Sequence, residues 1–223
     1  MANSSFKHQI SRGFSMHRKQ LGIIIFEEIE VLDFCGPFEV FSATRLDENR
    51  RHEEPSPFEV FLVSEFHQPV TTTGGMKVIP DFTFDNCPPL DILVIPGGWG
   101  TRKEMHNEAM LSFVHSRAPN VEILASVCTG ALILGNAGLL DGLHATTHWR
   151  SLQMMQALFP RVMVDTTAHV VKAGRIITSA GISAGIDMAL RVVADFFGEE
   201  IARSTARHME YSFPENNERR VTL

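Results

Sequence analysis

Short, uninterrupted apolar runs alternate with helical patterns along most of this chain, and this alternation limits the folds it can adopt. The runs are LGIIIF (21–26), FEVFLVS (58–64), DILVIPGG (91–98) and VEILASV (121–127). A continuous apolar run of this length is typical of a strand that is covered on both faces. Strands that alternate with helices predict an α/β fold with a mostly parallel sheet and helices on both faces.

The segments between the runs predict helices and a hairpin. Pro37 suits the first turn of a helix over GPFEVFSAT, because proline has the backbone angle of that position. Residues 101–118 predict one amphipathic helix, and the long helical pattern near the end of the chain is expected to break at Gly198. Gly74 and Gly75 are expected at the turn of the hairpin.

The chain is expected to form one domain over residues 21–223, since it contains neither an internal repeat nor a low-complexity linker. Residues 1–20 are polar and basic, and they predict a disordered extension. They lack the apolar core of a secretory signal, and no run of roughly 20 apolar residues predicts a membrane span.

Charge and cysteine usage narrow the range of partners and compartments. A net charge of −6 argues against a nucleic acid or an anionic membrane as the main partner. Three cysteines without a CxxC pair predict neither a disulfide framework nor a zinc site, and they suit a reducing, cytoplasmic compartment. His144, His148 and His169 do not have metal-ligand spacing, so no metal is expected.

Three stretches that are distant in sequence follow predicted strands. They are EEIEVLDFCG (27–36), PGGWG (96–100) and CTG (128–130), and they offer a carboxylate, backbone N–H groups and a thiol. Because ligands of open α/β sheets bind at the carboxyl ends of the strands, we expect these stretches to meet there.

Cys128 lies between a predicted strand and a predicted helix. A helix N-terminus that points at the sulfur would favour the thiolate, which is the nucleophilic form. The N–H of Thr129, with that of Gly98 or Trp99, could then stabilise negative charge on a substrate, and Gly130 would allow close packing after the turn. The alternative is that Cys128 is a small buried apolar residue.

Four segments together resemble the DJ-1/PfpI superfamily. They are VLDFCGPFEV, LVIPGGWG, ASVCTGALILGNAGLLDGLHATTHW and RIITSAGISAGIDMALRVV, and the similarity runs from about residue 21 to 210. Within the superfamily the chain resembles the isonitrile hydratase-like branch, and also the amidotransferase-like domain of AraC-type regulators. The resemblance implies a flavodoxin-like three-layer sandwich, related to the class I glutamine amidotransferase domain, that forms a homodimer.

The resemblance also implies roles for individual residues. Cys128 corresponds to the nucleophile on the turn, Asp33 to an acidic partner near its sulfur, and Thr129 to a neighbouring site residue. Gly97 and Gly98 correspond to a wall that stabilises negative charge. Without the resemblance, Asp33 could simply cap the helix that is predicted near Pro37.

Other candidates stay open between two roles. Trp99 either lines the pocket or anchors the dimer. His148 corresponds to a histidine near the nucleophile in the wider superfamily, but a structural histidine with satisfied hydrogen bonds is the alternative. Cys35 is expected to be buried beside its turn, and Cys87 is expected to be a loop thiol without a function.

Two departures from the other branches indicate an activity. Peptidases of the superfamily have histidine where this chain has Thr129, and the glyoxalase and deglycase branches have glutamate where it has Asp33. The Asp and Cys-Thr pattern is similar to that of the isonitrile hydratases, which implies hydration of an isocyanide-like small molecule to an N-substituted formamide, without a cofactor.

The alternative function is a ligand-sensing or redox-sensing module. The AraC-type relatives carry a helix-turn-helix domain after this core, whereas this sequence stops soon after RHMEYSFPENNERRVTL. A DNA-binding domain of that kind is therefore not expected in the sequence.

Overall fold

The computed structural model describes residues 17–221. Most of the extension predicted over residues 1–20 lies outside this range. Its last two residues, Lys19 and Gln20, begin the first strand, so the predicted boundary is two residues too late. The strand starts early because it pairs with a neighbour from Lys19 onward.

The strands of the described residues are short and mostly buried. Their bounds are β1 (Lys19–Ile24), β2 (Phe58–Ser64), β3 (Val70–Thr71), β4 (Lys77–Val78), β5 (Phe82–Thr83), β6 (Ile92–Ile95), β7 (Ile123–Val127), β8 (His144–Ala145), β9 (Met163–Val164), β10 (Val170–Ala173) and β11 (Ile176–Ser179).

The α-helices lie between and after these strands. Their bounds are α1 (Val31–Ala43), α2 (Thr101–Glu104), α3 (Glu108–Arg117), α4 (Gly130–Asn136), α5 (Leu152–Leu158), α6 (Ala184–Phe197) and α7 (Glu199–His208), with single 3₁₀ turns at Glu48–Arg50 and Trp149–Ser151.

The central sheet has seven strands in the order β10-β11-β7-β6-β1-β2-β5. All neighbours pair in parallel except β10, which is antiparallel to β11 at the edge. Helices α1, α6 and α7 contact one another, and α2 contacts α4, so two helix layers enclose the sheet. The predicted α/β class with a mostly parallel, flavodoxin-like sheet is confirmed.

The start of α1 differs from the prediction. The helix begins at Val31, and Pro37 lies inside it rather than in its first turn. Proline removes one helical hydrogen bond. Burial of Phe34, Val40 and Phe41 against the core compensates, since tertiary packing supplies most of the stability of helices in proteins.

Residues 101–118 form two helices, where the sequence predicts one. The side chain of Asn107 accepts hydrogen bonds from the N–H groups of Ala109 and Met110, and this cap starts α3 as a separate helix. The break at Gly198, which has a φ of 90°, is confirmed. The hairpin around Gly74 and Gly75 is also confirmed, as strands β3 and β4.

Candidate active site

The three predicted stretches meet at the carboxyl ends of β1, β6 and β7, which are neighbours in the sheet. Asp33 follows β1, the turn of Gly97 and Gly98 follows β6, and Cys128 follows β7. Parallel strands end at the same edge, which is why segments so distant in sequence come together. The predicted convergence of the three stretches is confirmed.

Cys128 occupies a sharp turn between β7 and α4. Its φ is 57°, a left-handed conformation that non-glycine residues rarely adopt. Its N–H donates to the carbonyls of Ser179 and Ala180, and the hydroxyl of Thr147 donates to its carbonyl over 2.7 Å. These contacts hold the residue in a conformation that it would not adopt alone, as is common at functional sites.

Gly130 allows the close packing that the sequence predicts after this turn. A Cβ at this position would collide with the carbonyl oxygens of Ile95 and Pro96. Only glycine therefore lets the first turn of α4 approach the end of β6 this closely.

Asp33 lies in the first turn of α1 and is fully buried. Its Oδ2 accepts a hydrogen bond from the N–H of Gly97 over 3.0 Å. Its Oδ1 accepts no hydrogen bond of regular geometry from residues 17–221. Because α1 begins after Glu30 without a side-chain cap, the capping role for Asp33 is wrong.

Burial raises the pKa of Asp33 to about 8, and the charge of Glu30 adds to this rise, although the hydrogen bonds from Gly97 and Cys128 oppose it. The carboxyl group therefore holds a proton at neutral pH. It is placed to act as an acid beside the sulfur.

The thiol of Cys128 is also buried, with 6% of the residue exposed. Burial raises its pKa well above the ordinary value, and the adjacent Asp33 raises it further, while the hydrogen bond from the N–H of Thr129 lowers it. The helix N-terminus is expected to favour the thiolate, but desolvation and the neighbouring carboxyl outweigh it. The two groups titrate as a coupled pair.

The glycine turn after β6 positions side chains, which differs from the predicted wall for negative charge. The N–H of Gly97 donates to Asp33, and that of Gly98 donates to Oγ1 of Thr129 over 3.0 Å. Oγ1 of Thr129 also lies 3.0 Å from the hydroxyl of Thr101. The two N–H groups are thus occupied within the protein and orient Asp33 and Thr129.

His148 lies beside the sulfur and is partly buried. A Cβ at Gly181 would lie 2.6 Å from Sγ of Cys128 and 2.7 Å from Cδ2 of His148, so both side chains lie against the same side of Gly181. Burial lowers the pKa of His148, and nearby arginines lower it further, which keeps the ring neutral. Its Nδ1 accepts a hydrogen bond from the N–H of Arg150.

The remaining candidates lie farther from the chemistry. Trp99 is 60% exposed, on the same glycine turn. Cys35 is partly buried within α1, and Cys87 lies in the loop after β5, as predicted, where it is buried against the core.

Sequence reasoning missed three residues that build the site. They are Gly181, Thr147 and Thr101, which contact Cys128 or Thr129. Gly181 is the second residue after strand β11, and its place at the same sheet edge as Cys128 is a signal that could have found it.

Two properties of residues 17–221 bear on the type of site. No three histidine, cysteine or acidic side chains in this range converge as a metal-binding group. None of its helices has the length and apolarity that crossing a bilayer requires.

The fold, the turn that carries Cys128 and the facing carboxyl group define a class of protein, and comparison of sequences agrees with it. Residues 19–195 match the profile of the DJ-1/PfpI family, so the chain belongs to that family. It is similar to the isonitrile hydratase of Pseudomonas putida, with 35% identity over 193 residues that cover 86% of this chain and 78% of the relative.

Regulators and solved structures are similar as well. The HTH-type transcriptional regulator GbdR of Pseudomonas aeruginosa is 33% identical over 142 residues, and the match spans only 38% of the regulator's length. A THiJ/PfpI family protein from Pseudomonas syringae superposes with a TM-score of 0.78 at 30% identity, over 91% of this chain and 79% of that one. Drosophila melanogaster DJ-1beta shares the fold with a TM-score of 0.74 at 18% identity, over 88% of this chain and all of that one.

Proposed function

We propose that the protein hydrates an isonitrile to an N-substituted formamide, with Cys128 as nucleophile and Asp33 as acid and base. One observation carries this proposal: a buried carboxyl group with a pKa of about 8 lies beside the cysteine. Attack on an isonitrile places a proton on the attacked carbon, so the reaction needs an adjacent acid. The similarity to a curated isonitrile hydratase supports the same chemistry.

The first step joins the substrate to the sulfur. Both groups hold a proton at neutral pH, because burial raises both pKa values. The reactive form is the minor one in which the coupled pair has lost one proton, the remaining proton lies on Asp33 and Cys128 is a thiolate. The sulfur attacks the terminal carbon of R–N≡C while the carboxyl proton passes to that carbon. A C–S bond forms, leaving a thioimidate, S–CH=N–R, and an ionised Asp33.

The second step adds water and releases the product. The carboxylate of Asp33 takes a proton from a water molecule as its oxygen adds to the same carbon, and this proton passes on to the nitrogen. The adduct S–CH(OH)–NH–R then collapses. Its C–S bond breaks, the hydroxyl proton returns to Asp33, and the thiolate and the formamide are released. The site therefore ends in its starting state, without a change in oxidation state.

Thr129 supports both steps by its position. Its N–H donates to the sulfur and its hydroxyl is fixed by Gly98 and Thr101, so the turn keeps its shape when the charge of the thiol changes. This arrangement resembles the preorganisation that enzymes use to stabilise changing charge.

The direct test is turnover of cyclohexyl isocyanide, followed as N-cyclohexylformamide by NMR. The wild-type protein and a Cys35→Ser control are expected to produce the formamide, and Cys128→Ser is expected to produce none above the uncatalysed rate. Wild-type protein that leaves the isocyanide unchanged would refute the proposed reaction.

A second candidate is a sensing module without turnover. The similarity to HTH-type transcriptional regulators favours it, because those regulators contain a segment that is similar to this chain. If the sensing function is correct, a small molecule raises the melting temperature of the protein without being consumed.

A further inference from the structure

Two arginine–tryptophan pairs lie on the segments that surround the sulfur of Cys128. The guanidinium carbon of Arg102 lies 4.5 Å from the ring centre of Trp99, and that of Arg150 lies 4.8 Å from the ring centre of Trp149. Both arginines are exposed, and the rings are 60% and 41% exposed. Each guanidinium is thus held against an aromatic face, with N–H donors available to a ligand.

His148 connects these pairs to the reactive sulfur. Its ring lies against the same point of Gly181 as Sγ of Cys128, and its ring centre lies 5.8 Å from that of Trp149. Three positive charges act on this one ring, those of Arg150, Arg219 and Arg102, and they help to lower the pKa of His148. The arginines therefore lie within electrostatic reach of His148, which itself lies beside the sulfur of Cys128.

The charges of Arg102 and Arg150 are not neutralised by the protein. No carboxylate of residues 17–221 forms an ion pair with either guanidinium, although most other ion pairs in this range do involve arginine. Arg219, by contrast, donates to the hydroxyl of Thr146 and the carbonyl of Thr147, so its donors are occupied.

Acidic groups also lie near the sulfur. Glu30 is close enough to Asp33 to raise its pKa, and both belong to the segment after β1. The positive charges of Arg102 and Arg150 are opposite in sign to the net charge of the whole chain, which is −6. The acid of Asp33 is therefore buried beside the reacting sulfur, whereas Arg102 and Arg150 are exposed to solvent on flanking segments.

We propose that Arg102 and Arg150 form a subsite for a carboxylate and that the substrates are isonitriles that carry one. The planar guanidinium matches the geometry of a carboxylate, and the faces of Trp99 and Trp149 provide apolar contacts for the carbon skeleton. The substrate class rests on the function proposed above, whereas the subsite is testable without it.

The subsite is tested by comparing two alkylating reagents of nearly equal size, iodoacetate and iodoacetamide, at a pH where iodoacetamide labels Cys128. The ratio of their rates at Cys128, measured by peptide mass spectrometry, is expected to exceed the ratio for free N-acetylcysteine by about tenfold at low salt. It is expected to fall toward the free value in the double variant Arg102→Gln/Arg150→Gln and in 1 M NaCl. The neighbouring exposed lysine gives the matched control, Lys103→Gln, which keeps the high ratio.

An unchanged ratio in the double variant would overturn the subsite. A Cys128 that neither reagent labels would also overturn it, because the subsite must lie in a cleft open to the sulfur.

The substrate class is tested with 4-isocyanobenzoate and its neutral methyl ester. The carboxylate is expected to have a kcat/KM about tenfold higher, and the double variant is expected to lose this preference. Equal kcat/KM values would refute the substrate class while leaving isonitrile hydration intact. A high iodoacetate ratio with no turnover of either compound would refute the proposed reaction while leaving the subsite intact.

Discussion

At the scale of single residues, the account depends on the coupling between Asp33 and Cys128. Each group is buried, and a negative charge on either one disfavours a negative charge on the other. The pair therefore holds protons at pH values where exposed groups of the same types have released them. This property gives three predictions.

The first prediction concerns stability. The folded state keeps the proton of Asp33 up to about pH 8, whereas the unfolded chain releases it near pH 4. The contribution of this group to the free energy of unfolding is therefore complete below about pH 4 and is lost as the pH rises toward 8.

Because asparagine does not ionise, Asp33→Asn is expected to melt close to wild type at pH 4 and more than about 5 °C higher at pH 8. Differential scanning fluorimetry across this range measures the gap, and the exposed Asp85→Asn serves as the control. A gap that stays constant with pH would contradict the raised pKa.

The second prediction concerns catalysis by the same variant. Loss of a positioned general acid and base typically lowers the rate by about 10²–10⁴-fold. We expect Asp33→Asn to lose isonitrile hydration by such a factor while it remains folded. Near-normal turnover would exclude proton transfer through Asp33.

The third prediction concerns the thiol. Alkylation of Cys128 by iodoacetamide is expected to be slow at neutral pH and to rise steeply above it, because burial and Asp33 both raise its pKa. In Asp33→Asn the rise is expected at a lower pH, since the neutral amide removes the like charge. Peptide mass spectrometry measures both profiles, with Cys35 as an internal reference. A profile at higher pH in the variant would reverse the assigned cause.

The sequence predicts which residues form the site better than it predicts their protonation. Asp33, Thr129 and Cys128 each follow a recognisable buried strand, so their convergence can be inferred from topology alone. The depth of burial around Cys128 depends on backbone from a fourth segment at Gly181, which no local pattern reveals. The sequence predicts that the helix N-terminus lowers the pKa of Cys128, and this prediction is wrong because burial raises it.

At the scale of elements, three segments shape the site: the turn at Cys128, the turn of Gly97 and Gly98, and the loop at Gly181. The turn at Cys128 is held by β11 through the carbonyls of Ser179 and Ala180, and Gly181 continues that strand over the sulfur. The segment that follows β11 thus contacts both the backbone and the thiol of Cys128.

Gly181→Ala is expected to slow alkylation of Cys128 and turnover by about tenfold or more, because the added methyl group would lie 2.6 Å from the sulfur and displace it. Gly74→Ala is the matched control, since a Cβ there meets only Val31, at 3.9 Å. Rates of iodoacetamide labelling measure the effect. A Gly181→Ala protein with normal labelling would mean that this loop does not cover the thiol.

Helix boundaries were predicted less well than strands. The first turn of α1 is stabilised by contacts with other elements, so the proline signal alone misplaced its start at Pro37. The cap at Asn107 is visible in the sequence as a helix-start residue, but the apolar periodicity of 101–118 continues across it.

At the scale of the whole molecule, the parallel sheet explains why catalysis is proposed at one edge. Strands β1, β6, β7 and β11 end side by side, and each contributes one part of the site. The fold class could be predicted because alternating strands and helices permit few arrangements. The close contact between the acid and the thiol is implied only by the family resemblance, because it depends on how α1 packs and the alternation of elements does not determine that.

We expect the protein to form the homodimer that the family resemblance implies. Size-exclusion chromatography with light scattering is expected to give twice the 24.9 kDa of the chain. A mass of one chain at micromolar concentration would contradict the expected homodimer.

The central claim is that isonitrile carbon becomes bonded to Cys128, and rapid-quench mass spectrometry tests it most directly. Protein is mixed with a limiting amount of cyclohexyl isocyanide, quenched in acid and digested. We predict a peptide containing Cys128 whose mass is increased by one isocyanide, and the adduct forms before the formamide is released. The adduct is absent in Cys128→Ser and present in Cys35→Ser. Formamide that accumulates without this adduct, or an adduct on another residue, would contradict the account.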